Sequence, residues 1–181
     1  MKMMVDYAHD LLLEKMTQNC VACDFTMGNG YDTVFLCQHA RKVYAFDIQH
    51  EALLNTTKRL EEANISGASY ELIEDSHANC RRYLPFIDVG IFNLGYLPGF
   101  KHETTTRKDS TLKAVRESLD LLRPDGRLII VCYPGHSEGK IESEALEQFA
   151  SKLDSHDFHV MSLKMTNKLK SPYIIYIDKV Y

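Results

Sequence analysis

Asp24-Phe25-Thr26-Met27-Gly28-Asn29-Gly30 joins an apolar run, Cys20 to Phe25, to a segment from Asp32 to His39 that reads as a helix. A buried strand that ends in glycines and passes into a helix lets the backbone approach a ligand closely. Side chains at Gly28 and Gly30 would fill that space and restrict φ. Open α/β sheets bind ligands at the carboxyl ends of their strands, so Asp24, closing the first strand, is placed to hold a cationic amine. Taken alone, such a turn is equally an ordinary tight connection.

Downstream, Lys42 to Ile48 reads as a second apolar strand containing Asp47, 23 positions after Asp24. An acidic residue roughly 20 positions along from a glycine turn is where a ribose hydroxyl pair is met. In isolation Asp47 also reads as a cap for the helix Glu51 to Ala63; with the turn, ribose binding is the stronger reading. The two features fit either a dinucleotide or S-adenosylmethionine. The pattern separates them, because a pyrophosphate prefers G-x-G-x-x-G, whereas Tyr31-Asp32-Thr33 follows the second glycine here. Asp32 opposes a diphosphate at the helix start, and the sulfonium cofactor carries none. Thr26, Asn29 and Gln49 join Asp24, Gly28, Gly30, Asp32 and Asp47 in the expected cofactor set.

The alternation continues. A leading helix is expected over Asp6 to Met16, strands over Tyr70 to Ile73, Val89 to Phe92 and Leu128 to Tyr133, and helices starting near Asp109 or Ser110 and over Ile141 to Leu153. The first of those two helices should end before the turn Arg123-Pro124-Asp125-Gly126. His159 to Leu163 and Tyr173 to Ile177, joined by only Lys164 to Pro172, must pair antiparallel. Seven strands with this alternation predict a doubly wound α/β sheet of Rossmann-like type, mostly parallel with an antiparallel C-terminal strand. Residues 1–181 read as a single domain.

Three further strand ends carry polar residues. Glu74-Asp75-Ser76-His77 puts Asp75, Ser76 and His77 where an adenine edge would lie. Asn93-Leu94-Gly95-Tyr96-Leu97-Pro98-Gly99 is the best candidate for a reaction centre. In-line methyl transfer depends on positioning, and the Asn93 carbonyl oxygen can orient a nitrogen nucleophile, with Gly95 beside the cofactor and Tyr96 stacking on a base or packing on the cofactor. Tyr133-Pro134-Gly135-His136 ends the fifth strand, and His136 can accept a proton near neutral pH. Asn93, Tyr96 and His136 are thus the catalytic candidates, and Tyr96, Pro98, Lys101, Arg107, Tyr133 and His136 the substrate-side ones.

Composition is ordinary for a globular protein at 45% hydrophobic and 25% charged residues, and the formal charge of -4 argues against an overall basic coat for nucleic acid. Basic residues recur at Arg81, Arg82, Lys164, Lys168 and Lys170, readable as phosphate contacts or as solvated surface. Without an apolar run approaching the roughly 18 to 20 residues of a membrane span, a cytoplasmic protein without a membrane partner is expected. Five cysteines, with Cys20 and Cys23 as the lone C-x-x-C, suggest reduced thiols, and no metal site is expected.

Four motifs together resemble a known family. They are Asp24 to Thr33 as D-x-T-x-G-N-G-x-D-T, Phe46-Asp47-Ile48-Gln49, Phe92 to Pro98 as F-N-L-G-Y-L-P, and Tyr133 to Gly139 as Y-P-G-H-x-E-G. The chain resembles, along nearly its whole length, the small class I methyltransferases known as rRNA methylases, found largely in Gram-positive bacteria. Phe25 departs from that family, where alanine is more usual. The resemblance implies an enzyme that uses S-adenosylmethionine to methylate the 5-aminomethyl group of 2-thiouridine at the tRNA wobble position, giving 5-methylaminomethyl-2-thiouridine. The anticodon region of tRNA is then the partner, and a homodimer stays open. Periodicity and spacing do not supply that substrate. Ribosomal RNA, a small-molecule amine, or cofactor binding without turnover remain as alternatives.

Overall fold

The computed structural model describes residues 2–95 and 108–181. Its elements in chain order are α1 (Met4–Leu13), β1 (Val21–Asp24), α2 (Tyr31–His39), β2 (Lys42–Asp47), α3 (His50–Glu62), β3 (Tyr70–Glu74), β4 (Ile87–Asn93), α4 (Lys108–Leu121), β5 (Leu122–Cys132), α5 (Ser137–Ala150), β6 (Phe158–Leu163) and β7 (Tyr173–Lys179). A 3-10 turn, His77–Arg82, leads from β3 toward β4.

The seven strands form one sheet in the order β3-β2-β1-β4-β5-β7-β6. β1 pairs in parallel with both β2 and β4, β4 pairs in parallel with β5, and β7 runs antiparallel between β5 and β6. The chain winds outward from β1 to β3 and then returns to place β4 on the other side of β1. That reversal opens a crevice at the carboxyl ends of β1 and β4, where doubly wound sheets bind ligands. The expected fold is the observed one.

Burial explains the strand patterns. All four residues of β1 are buried, and so are Leu128 to Cys132 of β5, as parallel strands covered on both faces require. Helices bury one stripe each: Met4, Ala8 and Leu12 on α1, and Ala52, Thr56 and Leu60 on α3, recur every four residues. One core layer gathers Leu12, Leu36, Leu60, Val43 and Ile91, and the other Phe25, Phe92, Val115, Leu119 and Leu146. Each fully buried leucine contributes about 1.5–3 kcal/mol of transfer free energy. Phe25 fits because Gly90 makes room for it: a Cβ there would come within 2.9 Å of its ring. The ring stacks on Phe92 at 4.2 Å between centroids, so the departure from alanine is absorbed by the core.

Arg127, 5% exposed, clamps α1 to the sheet. Its Nε and Nη2 donate to the two Asp178 oxygens at 2.6 and 2.8 Å, and its Nη1 donates to the Leu11 carbonyl at 2.8 Å and to Glu14 at 2.7 Å. A planar fork with all three of its nitrogens engaged holds orientation as well as charge.

Boundaries shift modestly from expectation, the largest change being at β5. Leu122 pairs with Ile87 before a register shift, after which Arg127 pairs with Val89, so the strand begins ahead of the Arg123–Gly126 turn and carries it as an irregularity. Asp125 takes φ 65°, and a Cβ on Gly126 would lie 2.6 Å from the Asp88 carbonyl oxygen. Among the described residues no helix is long and apolar enough to cross a membrane. All five cysteines are free and buried.

Candidate active site

The turn after β1 is held from both flanking strands. Phe25 N–H donates to the Ile91 carbonyl of β4 and Met27 N–H to the Phe46 carbonyl of β2, both at 2.9 Å. Gly28 and Gly30 have φ 50° and 82°, the left-handed region that glycine enters at little cost. At Gly30 a Cβ would also meet Thr56 Cα at 2.9 Å, so α3 presses directly on the turn. Thr56 Oγ1 donates to the Gly28 carbonyl and Arg59 Nε to the Asn29 carbonyl. The Asn29 side chain accepts from Asn55 and so faces α3.

Asp47 ends β2 with both oxygens turned to backbone. Oδ2 accepts from Gly28 N–H at 3.1 Å and Oδ1 from Gln49 N–H at 3.0 Å. Burial pushes its carboxyl up, and the N–H groups of Gln49, Gly28 and Ile48 oppose that rise. A carboxylate has about four lone-pair sites, so capacity remains for a ligand hydroxyl. Beside it, Gln49 Oε1 is buried without a hydrogen-bond partner among the described residues. An acceptor so placed suits a ligand's hydroxyl or amino group, and this donor and acceptor set fits the adenosine part of S-adenosylmethionine.

Asp24 is fully buried at the switch point. Its oxygens accept from Thr26 N–H at 3.0 Å and Thr33 Oγ1 at 2.6 Å. Burial first, and then the neighbouring carboxylate of Asp32, push the Asp24 carboxyl well above the ordinary carboxylate range, against those two hydrogen bonds. A cation beside the pair would relieve this, as a cofactor carrying an ammonium and a sulfonium does.

Asp32, in the first turn of α2, accepts at both oxygens. Oδ1 lies 2.7 Å from His9 Nε2 of α1, and Oδ2 receives Asn93 Nδ2 at 3.0 Å. Asn93 closes β4. Its N–H donates to Thr26 Oγ1 at 2.7 Å, and its side-chain Oδ1 accepts from the Tyr133 hydroxyl at 2.7 Å. Burial, followed by the charge of Asp32, raises the Tyr133 hydroxyl to about 12, so it serves as a hydrogen-bond donor. His9–Asp32–Asn93–Tyr133 is thus a continuous chain from α1 across α2 and β4 to the end of β5. Sequence reading placed Asp32, Asn93 and Tyr133 at this edge but missed His9, for which it offered no signal beyond a histidine in an amphipathic helix.

At the β3 end the polar side chains also bond within the chain. His77 is buried, its Nδ1–H donates to the Phe25 carbonyl at 2.8 Å, and burial lowers its basicity. Ser76 caps the 3-10 turn by accepting from Ala78 N–H. Asp75 accepts from Ser76 N–H, Asn79 and the Tyr83 hydroxyl. Despite some desolvation, these donors hold its carboxyl below the usual range.

Past the end of β5, His136 Nδ1 accepts from Gly139 N–H at 3.1 Å and caps α5. A Cβ on Gly139 would lie 2.1 Å from the Tyr133 carbonyl oxygen, so this turn is tightly folded. Gly95 lies against the Tyr133 ring, 3.7 Å from where its Cβ would be. Tyr96, Pro98, Lys101 and Arg107 lie outside the described residues. Cys132, the thiol nearest in sequence to this turn, is fully buried, and burial pushes it up to about 12.

Comparison with known proteins agrees with this geometry. Residues 43–179 match the model of the family named "Putative rRNA methylase". A chloroplastic tRNA (mnm5s2U34)-methyltransferase of Arabidopsis thaliana is 29% identical over 191 residues, covering 98% of this chain and 70% of that protein. A Streptococcus mutans protein classed as a methyltransferase and crystallised in complex with SAH shares 38% identity and a TM-score of 0.91, with 99% of each chain covered. An rRNA methylase of Streptococcus thermophilus superimposes with a TM-score of 0.86 at 33% identity, over 100% of this chain and 99% of the other. The turn at β1, the carboxylate closing β2 and a family match spanning most of the chain have one common reading: the protein belongs to the rRNA methylase family and is a class I S-adenosylmethionine-dependent methyltransferase.

Proposed function

We propose that this chain, folded as one domain over residues 1–181, methylates the 5-aminomethyl group of 2-thiouridine at the wobble position of tRNA to give 5-methylaminomethyl-2-thiouridine. The observation that carries this reading is the amide of Asn93, fixed by Asp32 on one side and Tyr133 on the other at the carboxyl end of β4. S-adenosylmethionine supplies an electrophilic methyl group. The acceptor must then be a neutral amine with its lone pair aimed at that methyl. Asn93 Oδ1 retains a lone pair beyond the one Tyr133 uses, and it can accept an amine N–H and orient the nitrogen. With Nδ1 accepting the Gly139 N–H of the α5 cap, the neutral His136 ring carries its own hydrogen on Nε2, and it would take up the ammonium proton at Nδ1 by giving up that cap bond. Tyr96, Pro98, Lys101 and Arg107 complete the proposed substrate side.

The Arabidopsis relative, matched along 98% of this chain, supports tRNA as the acceptor. The β6–β7 connection supports a phosphate-bearing one. β7 starts opposite the end of β5, with Tyr173 paired to Cys132, which sets this connection at the same sheet end as Asn93. The Lys170 carbonyl oxygen lies 3.4 Å from where a Cβ of Gly135 would be. Lys168 and Lys170 are exposed there around Leu169, which is 89% exposed. We assign these lysines to the backbone of the anticodon stem-loop. Exposed Met161 and Leu163 on the edge strand β6 give a homodimer a face to form through. A cytoplasmic location accompanies the tRNA reading.

Incubation with labelled cofactor and tRNA lacking the final methyl should label the wobble nucleoside, and transfer should weaken as salt rises. Absence of transfer to any such tRNA overturns the reading. The family's name favours ribosomal RNA as the second acceptor, and labelled rRNA with unlabelled tRNA would establish it instead.

A further inference from the structure

We infer that His9, on α1, is a positioning residue for methyl transfer, setting through Asp32 which way the Asn93 amide faces. This rests on the assignment of Asn93 to the reacting amine. Asp32 is only 6% exposed and lies beside buried Asp24, so its oxygens depend on protein donors. His9 Nε2 satisfies one oxygen at 2.7 Å, which leaves the other for Asn93 Nδ2 at 3.0 Å. A carboxylate that accepts at both oxygens compels Asn93 to present its NH2, because the amide oxygen facing it would meet like charge. The Asn93 oxygen is thereby turned to the Tyr133 hydroxyl and to the reaction side.

His9 is itself held in place. Its ring stacks on Phe35 at 3.8 Å between centroids and 4° between planes, and His39 Nδ1–H donates to the Phe35 carbonyl at 2.8 Å. Arg127 ties the Leu11 carbonyl, two residues along α1, to β7. The helix ahead of β1 therefore contributes directly to the site. With His9 unable to donate, Asp32 loses its donor on that side. The carboxyl is then free to turn, and the Asn93 amide loses the fixed acceptor that sets its orientation.

Two variants separate donation from packing. His9→Phe keeps a ring on Phe35 but has no N–H, whereas His9→Gln keeps a donor at similar reach. In cofactor-bound protein, the Asn93 side-chain amide signals, identified by their loss in Asn93→Ala, should move in His9→Phe and stay near the wild-type position in His9→Gln. With tRNA lacking the final methyl, kcat of His9→Phe should fall on the order of 10- to 100-fold, with KM little changed, and His9→Gln should recover most of it. Unmoved amide signals in a folded His9→Phe protein, or a His9→Gln protein no better than His9→Phe, would overturn the inference. The amide signals need no methyl acceptor. If they shift as expected while tRNA is not methylated, the tRNA reading fails and the role of His9 stands.

Discussion

Asp47 and the Asp24–Asp32 pair lie at the same edge of the sheet, yet they solve opposite problems. Asp47 meets two backbone N–H groups and keeps lone pairs to spare, an arrangement that suits neutral hydroxyls. Asp24 and Asp32 are two buried carboxylates set beside each other, an arrangement unfavourable for the chain alone and favourable beside a cation. We assign the first to the cofactor's sugar and the second to its charge. The difference also divides the site, because Asp32 additionally bonds Asn93, whereas the side-chain hydrogen bonds of Asp47 among the described residues go to the backbone of Gly28 and Gln49.

Substitution at the reacting end should show the largest effect. Asn93→Ala removes an oriented acceptor, and single-turnover methyl transfer should slow by about 100-fold or more while cofactor binding changes far less. Equal losses in both would merge the two halves of the site. Asp47→Ala should act on the other half. Losing charged hydrogen bonds of about 1.5–3 kcal/mol corresponds to cofactor affinity weakened roughly 10- to 100-fold by calorimetry, with Asp47→Asn milder.

Smaller still is the effect of the turn itself. Gly30→Ala imposes φ 82° on a residue with a side chain and presses its Cβ onto Thr56, so denaturant unfolding should show about 1–3 kcal/mol of lost stability. The smallest effect is protonic. The Asp24 carboxyl is raised above its unfolded value of 3.8, so the folded chain retains a proton there over a range where the unfolded chain has lost it. Its contribution to stability therefore falls as pH rises through that range. A cationic ligand draws the pair toward ionisation, so cofactor binding near neutral pH should release up to about one proton, read from calorimetry in buffers of different ionisation enthalpy. Asp24→Asn should abolish the release.

Local patterns revealed the architecture because its signals are local. The apolar strands, the helical stripes and the short link between β6 and β7 all declare themselves within a few residues, and the offset from Asp24 to Asp47 follows from one β-α-β unit. What the sequence withheld depends on packing between distant segments. His9 reaches Asp32 only because α1 lies along the sheet, held by an arginine far along the chain. Asn29 and His77 stand in the expected loops, and the partners their side chains take there, Asn55 and the Phe25 carbonyl, are ones that spacing cannot show. The register shift at β5 arises because Leu122 still finds a partner in Ile87 ahead of the turn.

A crystal structure with S-adenosylhomocysteine tests the division of labour most directly. The account predicts the ribose hydroxyls on Asp47, the amino acid portion beside Asp24 and Asp32, and the sulfur facing the Asn93 amide oxygen. A cofactor whose ribose bypasses Asp47, or whose charged end lies away from the Asp24–Asp32 pair, would contradict it.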